Sequence, residues 1–355
     1  MDRSPRNRAA RASLACAAIF GVLSTAFGCA GGPESSVQPY ASSIPASNPL
    51  GRVQSWGYQL QGLEEVGALA RLERAELDLL VVEPTRTQQG SSEFPARLMV
   101  ERIHAGKGSS DRPRLALAYL NVGQAEDYRD YWRSRWRAPT RAQRGSPDFI
   151  LTLDPDGWPG NYPVAFWDPR WKAVLFGSPD ALVDRAIEDG FDGVYLDWVL
   201  GYGEPLVVEA ARKAGIEPAQ AMAELIRDLR DYARTKREGF LVVPQNAAPL
   251  VLEVPALVRW IDGIAQEDLS FRGQAVDDWD DPRGGDLPVA RHESLELASM
   301  LEHCRRSGVP VFTVDYALHP DNAARAIEKS RSLGFVPCVS RTSLARLPES
   351  VLAPR

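Results

Sequence analysis

The chain has 355 residues, 44% of them hydrophobic and 25% charged, the make-up of an ordinary globular protein large enough to bury a core without disulfide or metal staples. Its formal charge of −6 offers no basic face to a phosphate backbone, so nucleic acid is not an expected partner. The histidines and cysteines show no HxH, HExxH or CxxC spacing. No GxSxG elbow or Gly-rich phosphate loop is present either, which sets aside metal, serine and nucleotide chemistry.

The chain opens on Arg3, Arg6, Arg8 and Arg11, followed by an apolar run from Ala12 to Phe27. That run is too short to anchor in a bilayer, and its flanks are those of a secretory leader. It ends at Gly28-Cys29, before Ala-Gly-Gly and a Ser/Pro-rich stretch reaching Pro49. The junction resembles a bacterial lipoprotein signal. The expected organisation is therefore a signal peptide over 1–29, a flexible linker over 30–50 and one domain over 51–355. Lipidation of Cys29 would anchor an exported protein to a membrane, facing the periplasm or the cell surface. Loss of the leader's four Arg and one Asp would move the charge from −6 to −9, a balance suited to a neutral or cationic substrate.

From Gln54 onward, eight short apolar runs alternate with longer stretches of helical period. The runs are 56–60, 77–82, 115–120, 193–196, 240–243, 263–265, 309–314 and 335–339. Most are continuous rather than alternating, as in strands buried on both faces. Helices are expected over 180–188, 219–235, 295–307 and 322–332, the last two followed by Gly308 and Gly334 as stops. Eight such strands predict an α/β fold, a (β/α)8 TIM barrel. The Trp-, Pro- and Gly-rich segment 128–170, after the third strand, is expected to form a helix and an elaborated loop over the barrel mouth. Cys304 and Cys338 either pair or remain buried thiols.

Active sites of such barrels lie at the C-terminal ends of the strands. The runs finish on Tyr58 and Gln59, Glu83, Asn121, Asp197 and Trp198, Gln245 and Asn246, Gln266 to Asp268, Asp315 and Tyr316, and Ser340-Arg341. Acids, amides and aromatics gathered on one rim suit a sugar, whose hydroxyls bind carboxylates and amides and whose apolar faces stack on rings. Trp56, Trp132, Trp158, Trp167, Trp171 and Trp198 all fall on or near that rim. Glycoside cleavage needs two carboxyl groups. Asp197 on the fourth strand and Glu267 on the sixth, separated by one strand, are the expected pair. Asp192, ahead of its strand, is expected to cap or turn.

The motifs Tyr119–Trp132, Val164–Trp171, Gly190–Trp198, Ala265–Asp268 and Val314–Ala317 together resemble the endo-α-1,4-polygalactosaminidase family of glycoside hydrolases. Within it they are similar to the bacterial and archaeal branch once labelled cysteinyl-tRNA synthetase-related. The resemblance implies retaining hydrolysis of α-1,4-linked galactosamine or N-acetylgalactosamine polymers, with Asp197 as nucleophile and Glu267 as acid/base. Glu267 would then have its pKa raised and Asp197 would stay ionised. It adds Tyr119, Glu126, Arg129, Trp167, Asp168 and Tyr195 to Tyr58, Gln59, Glu83, Trp198, Gln245, Asn246, Asp315 and Tyr316 as substrate contacts. No cofactor or metal is implied, and a monomer is expected. Three positions depart from the family pattern: Gln124 where Glu is frequent, Leu200 where an acid often follows the catalytic Asp, and Glu83 where Asp is frequent. Loss of two rim acids would weaken binding of a cationic sugar. The alternatives are a non-catalytic polysaccharide-binding envelope lipoprotein, against which the presence of both Asp197 and Glu267 argues, and a hydrolase of another glycan.

Overall fold

The computed structural model describes residues 48–88, 93, 95–108, 112–273, 286–317 and 319–347. The expected leader and Cys29 lie outside the described residues, as does the linker up to residue 47. The folded unit takes in the linker's last residues: Asn48 caps a 3-10 turn at Pro49–Arg52 and Leu50 is buried.

Eight parallel strands make the centre: β1 (Trp56–Gln59), β2 (Leu79–Val82), β3 (Leu115–Asn121), β6 (Gly193–Asp197), β7 (Leu241–Pro244), β8 (Ile264–Glu267), β11 (Val311–Asp315) and β12 (Val336–Val339). Each corresponds to one of the eight apolar runs. Ladders join β1-β2-β3-β6-β7 and β8-β11-β12. A parallel bridge between Gln245 and Ala265 links β7 to β8. At the remaining seam, Trp56 Nε1 donates to the carbonyl of Val336 at 3.0 Å, bringing β12 against β1. The architecture is the (β/α)8 TIM barrel.

Side chains along a strand point alternately to its two faces, and here both faces are buried. Leu79, Val81, Tyr119, Tyr195, Val243 and Val314 fill the barrel interior. Leu80, Val82, Ala118, Leu196, Val242 and Ile264 face the surrounding helices. Those helices include α2 (Ala96–Ala105), α4 (Leu182–Glu188), α5 (Pro205–Ala214), α6 (Pro218–Lys236), α8 (Arg291–Arg306) and α9 (Pro320–Ser332). In α6, Met222, Leu225, Ile226, Leu229 and Ala233 recur at the three- and four-residue spacing that forms one buried face. Pro218 opens it, and Arg234 and Lys236 complement its C-terminal dipole. Among the described residues, no helix is long and apolar enough to cross a membrane.

One expectation is corrected and one open alternative is resolved. Between Tyr128 and Asp168 there is no helix. Instead β4 (Gln124–Glu126) pairs antiparallel with β5 (Asn161–Pro163), and the loop between them packs on its own rings. Trp136 meets Trp132 and Phe149 edge-on, each at 5.4 Å between centroids. Cys304 and Cys338 are both free and buried.

Gly193 carries the tightest approach between strands. A Cβ there would lie 2.3 Å from the carbonyl oxygen of Leu241 on the neighbouring strand. Gly193→Ala is therefore expected to destabilise the barrel by about 1–3 kcal/mol, read as a lowered thermal midpoint.

Candidate active site

The same alternation decides which strand-end residues reach the mouth. Two positions beyond the inward Val81, Tyr195, Val243, Ala265 and Val314 stand Glu83, Asp197, Gln245, Glu267 and Tyr316, and all five line one cleft of about 560 Å³. Immediately after three of these strand ends the backbone turns through the left-handed region, at Trp198 (φ 58°), Asn246 (φ 56°) and Asp268 (φ 58°). Such values are strained for a tryptophan. The turns return the following side chains to the cleft, which Trp198, Asn246 and Asp268 also line. Trp198 fits because its neighbours are glycines: a Cβ on Gly201 would stand 2.1 Å from the indole.

Asp197 accepts hydrogen bonds from Tyr119 Oη at 2.5 Å and from the Trp198 amide at 2.6 Å. Burial, then the charge of Glu267, push it up to about 7 from an ordinary 3.8, against those two donors. Burial keeps the Tyr119 phenol well above its ordinary pKa, so it remains a donor. Glu267 is held by donors alone: Gln245 Nε2 and Tyr316 Oη at close range, and Asn246 Nδ2 at 3.0 Å. Asn246 Oδ1 takes the Glu267 amide at 3.0 Å. Tyr58 Oη reaches Gln245 at 3.3 Å, tying β1 to the same network.

A second charged layer lies beside the pair. Arg129 holds Glu83 through two contacts, at 2.5 and 2.8 Å, and Glu126 through its Nε at 2.8 Å. Burial disfavours the guanidinium charge, but Glu126 and Glu83 outweigh it and raise Arg129 well above its ordinary pKa. With two carboxylates to one cation, burial pushes Glu83 up to about 7 despite Arg129.

Several expected contacts lie elsewhere. Gln59 and Asp315 have the outward parity. Gln59 bonds the carbonyls of Gln61 and Ala345 at 3.0 and 3.1 Å, and Asp315 receives the Ser270 and Phe271 amides at 2.5 and 2.8 Å. Tyr195 is 1% exposed, below the floor, its ring tilted against Tyr58 with centroids 5.1 Å apart. Asp168 caps α3 (Pro169–Leu175) and pairs with Arg170 at 2.6 Å, while Trp167 packs on Phe166. Of the six tryptophans, Trp158 and Trp198 line the cleft. Trp56 and Trp171 are core residues, and Trp132 and Trp167 pack against other rings. Asp192 bonds the Ala116 amide, His104 and Arg237 at the opposite end of β6, a structural role.

The loop also supplies residues that sequence reasoning passed over. Gln124 Nε2 donates to Asp154 Oδ1 at 2.6 Å, and Asp154 holds the Trp158 amide at 2.7 Å. This fixes the loop segment that brings Asp156 and Trp158 to the cleft, opposite Glu204. Burial, then the charge of Asp154, push Asp156 up to about 6. A Glu in place of Gln124 would set two acids against each other. Asp156 and Glu204 add two acids to the cleft lining. Among the described residues, no three His, Cys, Asp or Glu gather to hold a metal ion.

Asp197 carries a stability consequence. A carboxyl raised on folding contributes stability that is present below its unfolded pKa and is lost as pH rises through about 7. Asp197→Asn escapes that loss, since an amide accepts from the Trp198 amide and donates to Tyr119 Oη. The variant is expected to match the parent near pH 4 and exceed it at pH 8, by up to about 4 kcal/mol, measured by thermal unfolding at both pH values.

Comparison with known proteins completes the picture. A protein of Deinococcus radiodurans is 31% identical over 322 residues, covering 89% of this chain and 90% of its own. One of Methanocaldococcus jannaschii is 27% identical over 306 residues, covering 81% and 75%. Among solved structures, the glycoside hydrolase domain of PelA from Pseudomonas aeruginosa superposes with a TM-score of 0.55 at 19% identity, covering 83% of this chain and 97% of that one. Ega3 of Aspergillus fumigatus, in complex with galactosamine, gives 0.54 at 14%, covering 86% and 95%. At those identities the two structures speak for the barrel alone. The model of glycoside-hydrolase family GH114 matches residues 37–352, and with a carboxylate pair set in the mouth of its barrel the chain belongs to that family of glycoside hydrolases.

Proposed function

We propose that the protein hydrolyses an α-1,4-linked galactosamine or N-acetylgalactosamine polysaccharide with retention, using Asp197 as nucleophile and Glu267 as acid/base. The observation that carries the reading is the pair itself: two carboxyl groups from strands one apart, facing one cleft and coupled closely enough that the charge of Glu267 raises Asp197. Glu267 donates its proton to the leaving oxygen while Asp197, as the anion, attacks the anomeric carbon. Water then attacks the glycosyl-enzyme, with Glu267 taking its proton. The Tyr119 hydroxyl and the Trp198 amide favour the Asp197 anion the first step requires, opposing the burial that disfavours it.

The galactosamine bound in Ega3 and the surplus of acids over cations in the cleft support an amino-sugar polymer. Trp158, 44% exposed at the cleft edge, offers a stacking face for a sugar ring. The basic, apolar leader and Cys29 support export and lipid anchoring, placing a monomeric domain on a linker outside the cytoplasm. The non-catalytic reading gains nothing from the geometry, because a binding site has no use for two buried carboxyl groups set facing one cleft.

Reducing-end release from partially deacetylated α-1,4-galactosaminogalactan and a panel of other glycans tests the proposal. The parent should release ends from the galactosamine polymer, and Asp197→Asn and Glu267→Gln should each lose at least about 100-fold. Proton NMR of early product should show the α-anomer first. Parent kcat/KM should rise with pH through a limb near 7, where Asp197 ionises. An inverted first product, or variants as active as the parent, would reject the assignment.

A further inference from the structure

We infer that Asp268 is the residue that distinguishes a free amino sugar from its N-acetylated form, by pairing with the sugar's ammonium group beside Glu267. The inference rests on the galactosamine reading above and adds to it which form of the sugar the site selects and by which residue.

Asp268 is held rigidly. Its backbone is in the left-handed region at φ 58° and its amide donates to the carbonyl of Val314 at 3.1 Å. The side chain lines the cleft next to Glu267, yet its Oδ1 is shut off from bulk solvent and has no hydrogen-bond partner among the described residues. The acids around it are engaged elsewhere. Asp197 and Glu267 each have at least two donors, and Asp315 has two backbone amides. Arg272, the cation whose field reaches Asp268, gives its NH2 to Glu293 at 3.0 Å, and its buried Nε is not bonded to Asp268.

A carboxylate left without donors in a low-dielectric pocket is unfavourable until a cation or donor arrives. Burial first, then the charge of Glu267, accordingly hold the empty carboxyl well above the usual carboxylate range. A protonated 2-amino group answers both needs, since it brings a positive charge and three donors. An acetamido group brings no charge, a single N–H and added bulk, and leaves Asp268 unsatisfied. Discrimination by a buried group that only one substrate can satisfy is the strong kind.

The test compares parent and Asp268→Asn on two α-1,4-linked galactosamine polymers, one fully deacetylated and one fully N-acetylated, with thermal unfolding in parallel. On the deacetylated polymer kcat/KM should fall at least about ten-fold, the size of one lost charge-assisted hydrogen bond. On the acetylated polymer the loss should be at least about five-fold smaller, and the thermal midpoint should not drop, because an isosteric amide replaces an unpaired acid. Equal losses on both polymers, no loss on either, or a parent that prefers the acetylated polymer would overturn the role of Asp268 while leaving the hydrolase reading intact. A parent inert on both polymers but active on another glycan would instead overturn the galactosamine reading, and the ligand of Asp268 with it.

Discussion

In a ring of parallel strands only every second residue of a strand points inward, and the active site follows from that restriction. The level below the mouth is filled by Val81, Tyr119, Tyr195, Val243, Ala265 and Val314. The next inward position on these strands must meet water, substrate or its neighbours. It has little room, and what stands there is mostly carboxyl or amide. Chemistry is thus concentrated where packing ends, and the residues involved perturb one another because the ring brings them close in a dry setting.

How the protein manages the resulting charge is consistent around the cleft. Asp197 and Glu267 are surrounded by neutral donors: two tyrosine hydroxyls, two side-chain amides and one backbone amide. Arg129 is kept one layer away, spent on Glu83 and Glu126. A guanidinium beside Asp197 and Glu267 would stabilise both anions together, which would deprive the site of an acid. It would also repel an ammonium-bearing substrate. Neutral donors orient the carboxyls without placing a cation against them.

Much of this was legible in the sequence. All eight strands followed from apolar runs, because strands buried on both faces admit little else, and Asp197 and Glu267 followed from asking what ends each run. What escaped was finer. Where two polar residues end one run, only parity separates the one that enters the mouth from the one that supports a loop. Applied to Tyr58-Gln59 and Asp315-Tyr316, that rule would have kept the tyrosines and released Gln59 and Asp315. The 124–168 arm escaped for another reason. Its fold is set by rings meeting across long loop distances, which no periodicity records, so Asp156 had no local signal to mark it.

That arm is joined to the rim through Gln124, which holds Asp154, and through Arg129, which holds Glu83, while Asp197 and Glu267 stand on barrel strands. Its charges still reach the pair: Glu126 raises Asp197, and Glu267 in turn raises Asp156. An arm of different length or composition therefore changes the reach of the cleft along a polymer and retunes Asp197 together. A lineage can in this way follow a changing polymer in its surroundings by editing an accessory hairpin, with no need to reinvent the reaction.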